Sequence, residues 1–204
     1  MKLIGMLDSP FVRRTAICMK LLGLEFEHQS LSVFRTYDEF RRINPVVKAP
    51  TLLLDDGQCL MDSTLILDYA ETLANPRKTL MPRDPAARLH ELKLIGLALA
   101  ASEKSVQLVY ERKQRPIEKQ FEPWAERVSE QLHAAYAALE KDITSRPLPT
   151  DPSRFSQASV SIAVAWRFTQ MMLPDVVAET DYPALRLFAA FAERQPVFME
   201  TQPE

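Results

Sequence analysis

Asp8-Ser9-Pro10-Phe11-Val12-Arg13-Arg14 joins the apolar run Leu3-Ile4-Gly5-Met6-Leu7 to an apolar helical pattern. It reads as a buried strand that turns at once into a helix. Ser9 takes the N-cap position, and Pro10 takes the first helical position, where a missing N–H costs nothing. Such a turn presents a hydroxyl and a row of unpaired backbone N–H groups to one point in space. A small anion placed there is stabilised by both. Taken alone, the stretch is satisfied by a plain capped helix start, so the flanking chain has to decide.

Residues 2–7 suit a central strand covered on both faces. Val12, Ala16, Met19 and Gly23 then recur at helical spacing, and Gly23 fits a C-cap. Glu25 to Leu31 alternates as a half-exposed strand, and the short connections favour a parallel, right-handed β-α-β unit. A short helix is predicted around Tyr37 to Ile43, ended by Asn44-Pro45. Two apolar runs, Ala49 to Leu54 and Gln58 to Met61, bracket Asp55-Asp56-Gly57 and predict a hairpin. Asp62-Ser63 caps a third helix marked by Leu65, Ile66, Tyr69 and Leu73.

From Asn75 to Pro85 the chain carries three prolines and no period, which reads as a linker. Beyond it, helical periodicity dominates. Leu89, Leu92, Leu99, Val106 and Val109 mark one long helix, and Trp124, Val128, Leu132, Leu139 and Ile143 a second. Val160, Val164 and Phe168 mark a third, and Leu185, Phe188 and Phe191 the last. The expected organisation is a small α/β domain over 1–76, a linker over 77–85 and an all-helical domain over 86–204.

Composition narrows the function. A formal net charge of −2 on 204 residues gives no general attraction to nucleic acid or an anionic membrane. The longest apolar stretch, Leu94 to Ala101, is far short of the ~18 residues a membrane helix needs. The opening run is too short for a signal peptide, so a cytoplasmic location is expected. Four scattered glycines leave no glycine-rich phosphate loop and no dinucleotide fingerprint. The three histidines have no partners at ligand spacing, so no metal site is expected. Cys18 and Cys59 form no CxxC pair and read as free packing thiols in a helix and a strand.

The order of these motifs resembles the glutathione S-transferase family, over essentially the whole chain. The resemblance rests on Ser9 to Arg13, on Lys48-Ala49-Pro50-Thr51-Leu52, on Asp62-Ser63, and on Tyr182-Pro183-Ala184-Leu185 through Arg194-Gln195-Pro196-Val197-Phe198. It implies a thioredoxin-like N-terminal domain followed by a helical domain, with glutathione as co-substrate and no resident cofactor or metal. In that reading Ser9 is the catalytic hydroxyl, as in bacterial members with serine at this position, and donates to the glutathione sulfur. Phe11, Val12, Lys48, Ala49, Pro50, Asp62 and Ser63 complete the glutathione site. Pro50 is expected to be cis, with Ala49 offering its backbone to the cysteinyl part. Lys48 either meets the glycyl carboxylate or is a solvated surface lysine. Ser63 holds the γ-glutamyl carboxylate as well as starting a helix. Tyr110, Arg112 and Trp166, with Phe168, are candidates by position for a second-substrate pocket, core packing being the plain alternative. Ser156-Gln157-Ala158-Ser159 stands where the family carries a capping box, with serine in place of the usual aspartate.

The resemblance implies a homodimeric enzyme that attacks a small electrophile with glutathione thiolate. Two alternatives stay open. One is disulfide reduction or isomerisation on the same site; the other is a transferase-like binding protein without turnover.

Overall fold

The computed structural model describes residues 1–75 and 77–203. It divides into two compact units, Met1–Met81 with Gln195–Glu204, and Pro82–Arg194. The domain ends expected at residues 76 and 204 fall outside the described residues.

The first unit runs β1 (Lys2–Ile4), α1 (Pro10–Leu21), β2 (Glu27–Gln29), α2 (Tyr37–Ile43), β3 (Thr51–Leu53), β4 (Cys59–Met61) and α3 (Ser63–Leu73). The sheet order is β2-β1-β3-β4. β1 pairs in parallel with β2, as the β-α-β reading requires, and β3 pairs antiparallel with both β1 and β4. This is a thioredoxin-like arrangement. The strands are shorter than the apolar runs that announced them. β1 ends before Gly5, whose φ of +136° breaks the extended course. A Cβ built on Gly5 would stand 2.6 Å from Val12 Cγ2 and 3.1 Å from the Ala49 Cβ, so only glycine lets these segments close together.

Leu3, Val12 and Ala16 pack on one side of the sheet, with Leu7, Phe26 and Ala49 against them. Ile4, Leu31 and Phe40 pack on the other, joined by Val33, Ile43, Val47 and again Ala49. Pro50 stands immediately before β3, which is interior to the sheet. The proline is tolerated because it precedes the ladder, and no edge position is needed to explain it.

The tail belongs to this first unit, although the sequence reading placed it in the helical domain. Arg13, almost fully buried on α1, donates from Nε to the Thr201 carbonyl at 2.8 Å and from Nη2 to the Phe198 carbonyl at 3.2 Å. Its guanidinium also lies 5.6 Å from the centroid of the Phe198 ring. These bonds seat the short helix α8 (Pro196–Met199) and its exit on α1. Helix C-terminal carbonyls favour a cation. The charge that would otherwise forbid burying Arg13 thus becomes the tether.

The second unit holds α4 (Pro85–Lys113), α5 (Glu122–Ser145), α6 (Gln157–Met172) and α7 (Pro183–Ala192). α6 is its buried centre. The capping box forms with serine at both ends: Ser159 N–H donates to Ser156 Oγ at 3.3 Å, and Ser156 N–H donates to Ser159 Oγ at 2.8 Å. Leu94, Ile95, Ala98, Ala101 and Leu108 form the inward face of α4. Leu89 and Leu92, which helped to mark that helix in the sequence, are exposed instead.

Candidate active site

The turn after β1 makes α1 start where the sequence places it. Ser9 N–H donates to the Met6 carbonyl at 3.1 Å, and its own carbonyl accepts the first helical bond from Arg13 N–H at 2.9 Å. Ser9 therefore holds the N-cap position by its backbone, and its side chain makes no capping bond. The half-buried hydroxyl is left for another partner. Pro10 has no N–H to give. The N–H groups of Phe11 and Val12, next along the helix, have no acceptor among the described residues. The Val12 side chain is core, so any contact it makes with a ligand runs through its backbone.

Ala49 lies beside Val12, against the Gly5 bend. The Ala49–Pro50 peptide bond is cis, as expected. Neither the N–H nor the carbonyl of Ala49 has a hydrogen-bond partner among the described residues, so an extended peptide backbone can pair there. Asn44 and Thr51, which the sequence reading did not single out, build this edge from behind. Asn44 Nδ2 donates to Thr51 Oγ1 at 2.8 Å, and Thr51 Oγ1 donates to the Lys48 carbonyl at 2.7 Å. Asn44 Oδ1 accepts from Val46 N–H at 3.0 Å. The burial of Asn44 and its contact with Thr51 are set by the fold, so the sequence alone carried no signal for it.

The third part is the start of α3. Asp62 has φ +78°, a costly value for a non-glycine residue. Its carboxylate accepts from Thr64 N–H at 2.9 Å and pairs with Lys48 at 3.3 Å. Partial burial alone would raise the Asp62 pKa. The Thr64 N–H and the Lys48 ammonium outweigh it and hold the carboxyl below its usual range. Lys48 is thus exposed and already engaged with Asp62. Ser63 is buried, and Arg14 Nη1 donates to its Oγ at 2.8 Å. That bond ties the start of α3 to the first turns of α1.

Ser9, Phe11, Val12, Ala49, Pro50, Asp62 and Ser63 all belong to the first unit. The Gly5 bend links the first turn of α1 to Ala49, and Arg14 links α1 to Ser63. The candidates for a second pocket, Tyr110, Arg112 and Trp166, belong to the other unit. Trp166 is only 3% exposed, packed edge-on against Tyr136 and Tyr182 at 5.3 and 5.8 Å, so its side chain is core and lines no open pocket. Phe168 is likewise buried. Tyr110 is exposed, and Arg112 pairs with Asp175 at 2.9 Å. A separate cavity of about 390 Å³ in the first unit, walled by Leu7, Ala16, Phe26 and His28 with Glu200 and Thr201 of the tail, includes none of the predicted site residues. Among the described residues, no three His, Cys, Asp or Glu side chains cluster in a way that could hold a metal. No helix among them is long and apolar enough to cross a membrane. Cys18 is buried, and burial pushes its thiol up to about 12 despite the nearby Arg14; Cys59 is exposed.

Residues 3–78 match the family model for the glutathione S-transferase N-terminal domain, and residues 122–190 match that for the C-terminal domain. A similar chain, the GST-like protein YibF of Escherichia coli (strain K12), is 30% identical over 166 residues, 81% of either chain. This chain belongs to the glutathione S-transferase family. Among solved structures, a family member from Pseudomonas fluorescens Pf-5 with bound glutathione is 29% identical, with a TM-score of 0.84 over 100% of this chain and 98% of that one. Two further relatives match over part of their length. Glutathione transferase GST 23 of Zea mays is 32% identical over 43% of this chain and 39% of its own length. A probable maleylacetoacetate isomerase of Caenorhabditis elegans is 30% identical over 43% and 41%.

Proposed function

We propose that the chain is a glutathione transferase in which Ser9 stabilises the thiolate of bound glutathione for attack on a small, hydrophobic electrophile. One observation carries this reading: the Ser9 hydroxyl sits at a helix N-cap yet caps nothing. The thiolate end meets Ser9 Oγ and the N–H groups of Phe11 and Val12. The cysteinyl peptide pairs with the backbone of Ala49, presented by cis-Pro50. The γ-glutamyl carboxylate meets the N–H and hydroxyl of Ser63, with Asp62 shaping the turn. Lys48, once released from Asp62, reaches the glycyl carboxylate. The bound glutathione in the Pseudomonas fluorescens relative supports the ligand.

The energetics suffice without a general base. A thiol of pKa ~8.5 is a few per cent thiolate at neutral pH, and lowering that value by about two units takes roughly 2.7 kcal/mol. A hydrogen bond to a charged acceptor contributes about 1.5–3 kcal/mol, and a helix N-terminus adds roughly 0.3–1 kcal/mol. Ser9 cannot form a mixed disulfide, which favours conjugation or isomerisation over thiol transfer through the protein. The partial likeness to a probable maleylacetoacetate isomerase favours isomerisation as the second reading.

The decisive experiment titrates glutathione into the protein and follows thiolate absorbance against pH. Saturable binding with a bound-thiol pKa about two units below the free value supports the reading. No binding at millimolar glutathione would leave a transferase-like binding protein. Parallel assays with an aryl halide, a small mixed disulfide and a cis-enone then separate conjugation, reduction and isomerisation.

In this reading the enzyme is a cytoplasmic homodimer. α4 supports the dimer through an exposed line of Leu89, Leu92 and Gly96, where a Cβ added to Gly96 would meet nothing within 4 Å.

A further inference from the structure

The cavity of about 390 Å³ lies within the first unit, and none of the residues proposed for glutathione lines it. Its volume falls at the lower end of the ~300–1,000 Å³ of small-molecule sites, which suits a ligand built on one ring. Leu7, Ala16 and Phe26 give the wall an apolar part. Its polar part is one-sided. Among the described residues of the wall, Lys20 is the one ammonium, and it already pairs with Glu200 Oε2 at 2.8 Å. Glu25 makes no hydrogen bond or ion pair among the described residues, and Glu200 engages one of its two carboxylate oxygens. His28 Nε2 lies 2.7 Å from the Gly5 carbonyl. A carbonyl only accepts, so Nε2 carries the proton, and in the neutral ring Nδ1 is left as a bare acceptor. Two carboxylates against one cation, with a bare ring nitrogen beside them, leave acceptors in excess. The aromatic ring of Phe26 likewise favours a cation over an anion.

We propose that this cavity is a binding site for a small cationic amine carried on an apolar ring. The ring packs against Leu7, Ala16 and Phe26, and the ammonium meets the carboxylates of Glu25 and Glu200, with His28 Nδ1 as a further acceptor. The Lys20–Glu200 pair is partly exposed, 36% and 59%, and a pair of that kind contributes little, so Glu200 turns to a ligand at small cost. The tail that carries Glu200 is held separately, by Arg13 on the carbonyls of Phe198 and Thr201, so the wall stays in place when the pair opens. This site is independent of the glutathione reading.

The test follows backbone amide shifts of the full chain as 2-phenylethylamine, an ammonium at neutral pH, is added at low ionic strength. 2-Phenylethanol serves as its neutral counterpart and phenylacetate as an anionic one. The amine is expected to saturate with a Kd of about 1 mM, the strength of a one-ring fragment. Its shifts should concentrate on residues 16–20, 25–28 and 200–201. The alcohol should bind at least fivefold more weakly, and phenylacetate more weakly still. Glu25→Gln and Glu200→Gln change exposed side chains, so both variants should fold. Each should weaken the amine by about twofold to fivefold, the range of one exposed ion pair, and leave the alcohol unchanged. In the double variant the amine and the alcohol should bind within twofold of each other. Equal binding of amine and alcohol by wild type, a preference for phenylacetate, or a double variant that keeps the amine preference overturns the proposal. So does a wild type that shows no saturable shift, or one whose shifts gather at the first turn of α1 and Ala49 instead. None of these outcomes bears on the glutathione site, which shares no residue with the cavity.

Discussion

At the scale of single residues, what marks this site is hydrogen-bonding capacity that the fold leaves unfilled. Ser9 Oγ, the N–H groups of Phe11 and Val12, the backbone of Ala49 and both donors of Ser63 are ordinary groups left without protein partners. Native chains pair nearly all such groups with protein or with water, and their gathering in one unit supports the proposed ligand. Ser9→Ala tests the sulfur end. Turnover is expected to fall by about 10²–10³, comparable to removing one oxyanion donor. The bound-thiol pKa should rise toward its free value in the same variant, with glutathione affinity little changed, because the peptide and carboxylate ends are intact. An unchanged rate together with an unchanged thiol pKa would remove Ser9 from the mechanism. Much of this was legible in sequence, because a cap residue, a proline before a strand and an Asp-Ser pair are local signals. Arg14 was quoted in the motif yet carried no reading, since its partner lies 49 residues further along the chain. Asn44 was hidden for the same reason: it was read as the end of a helix, and its Thr51 contact appears only once β3 is in place.

At the scale of elements, two charged contacts do structural work that periodicity could not announce. Arg13 holds the tail segment carrying α8 through carbonyls 185 and 188 residues away. Each of these two bonds to a charged donor contributes about 1.5–3 kcal/mol, so Arg13→Ala should raise local opening of the tail by about two to four powers of ten. Amide exchange is the measurement: residues 195–203 should lose protection while β1 and β3 keep theirs. In the second unit, Asp142 on α5 accepts from His90 Nε2 at 2.8 Å and from Lys93 Nζ at 2.7 Å on α4. Burial would raise its pKa, but the hydrogen bonds and charges of Lys93 and His90 prevail and lower it. A depressed carboxyl adds stability that is complete above its unfolded pKa of about 3.9 and disappears as pH falls through the folded value. Asp142→Asn should therefore cost about 0.2–1 kcal/mol at pH 7, the range of solvent-screened pairs. Denaturant midpoints of variant and wild type should converge near pH 2. Helix order and type were readable from spacing, but the faces were not. Leu89 and Leu92 satisfied the helical period, and only packing shows that Leu94, Ile95 and Ala98 are the residues turned inward.

At the scale of the whole molecule, the outward face of α4 becomes informative. Leu89 is 70% and Leu92 49% exposed, three residues apart on one side of α4, with Gly96 a further turn along. Scattered exposed leucines need no explanation, but a line of them beside a glycine offers a flat apolar strip. A strip on a single helix suits a two-fold interface, where the same patch meets itself and closes without further growth. The residues proposed for glutathione all lie in the other unit. Replacing both Leu89 and Leu92 by Glu puts like charges face to face across such an axis, which is unfavourable wherever the axis passes near them. Sedimentation at micromolar concentration should then give a single species at half the wild-type mass, against a dimer for the parent chain. Thermal unfolding of the variant should lose its dependence on protein concentration, while wild type keeps it, because association stabilises by mass action only when it occurs. A wild-type chain that sediments as a monomer, or a variant that remains dimeric, would take α4 out of the interface.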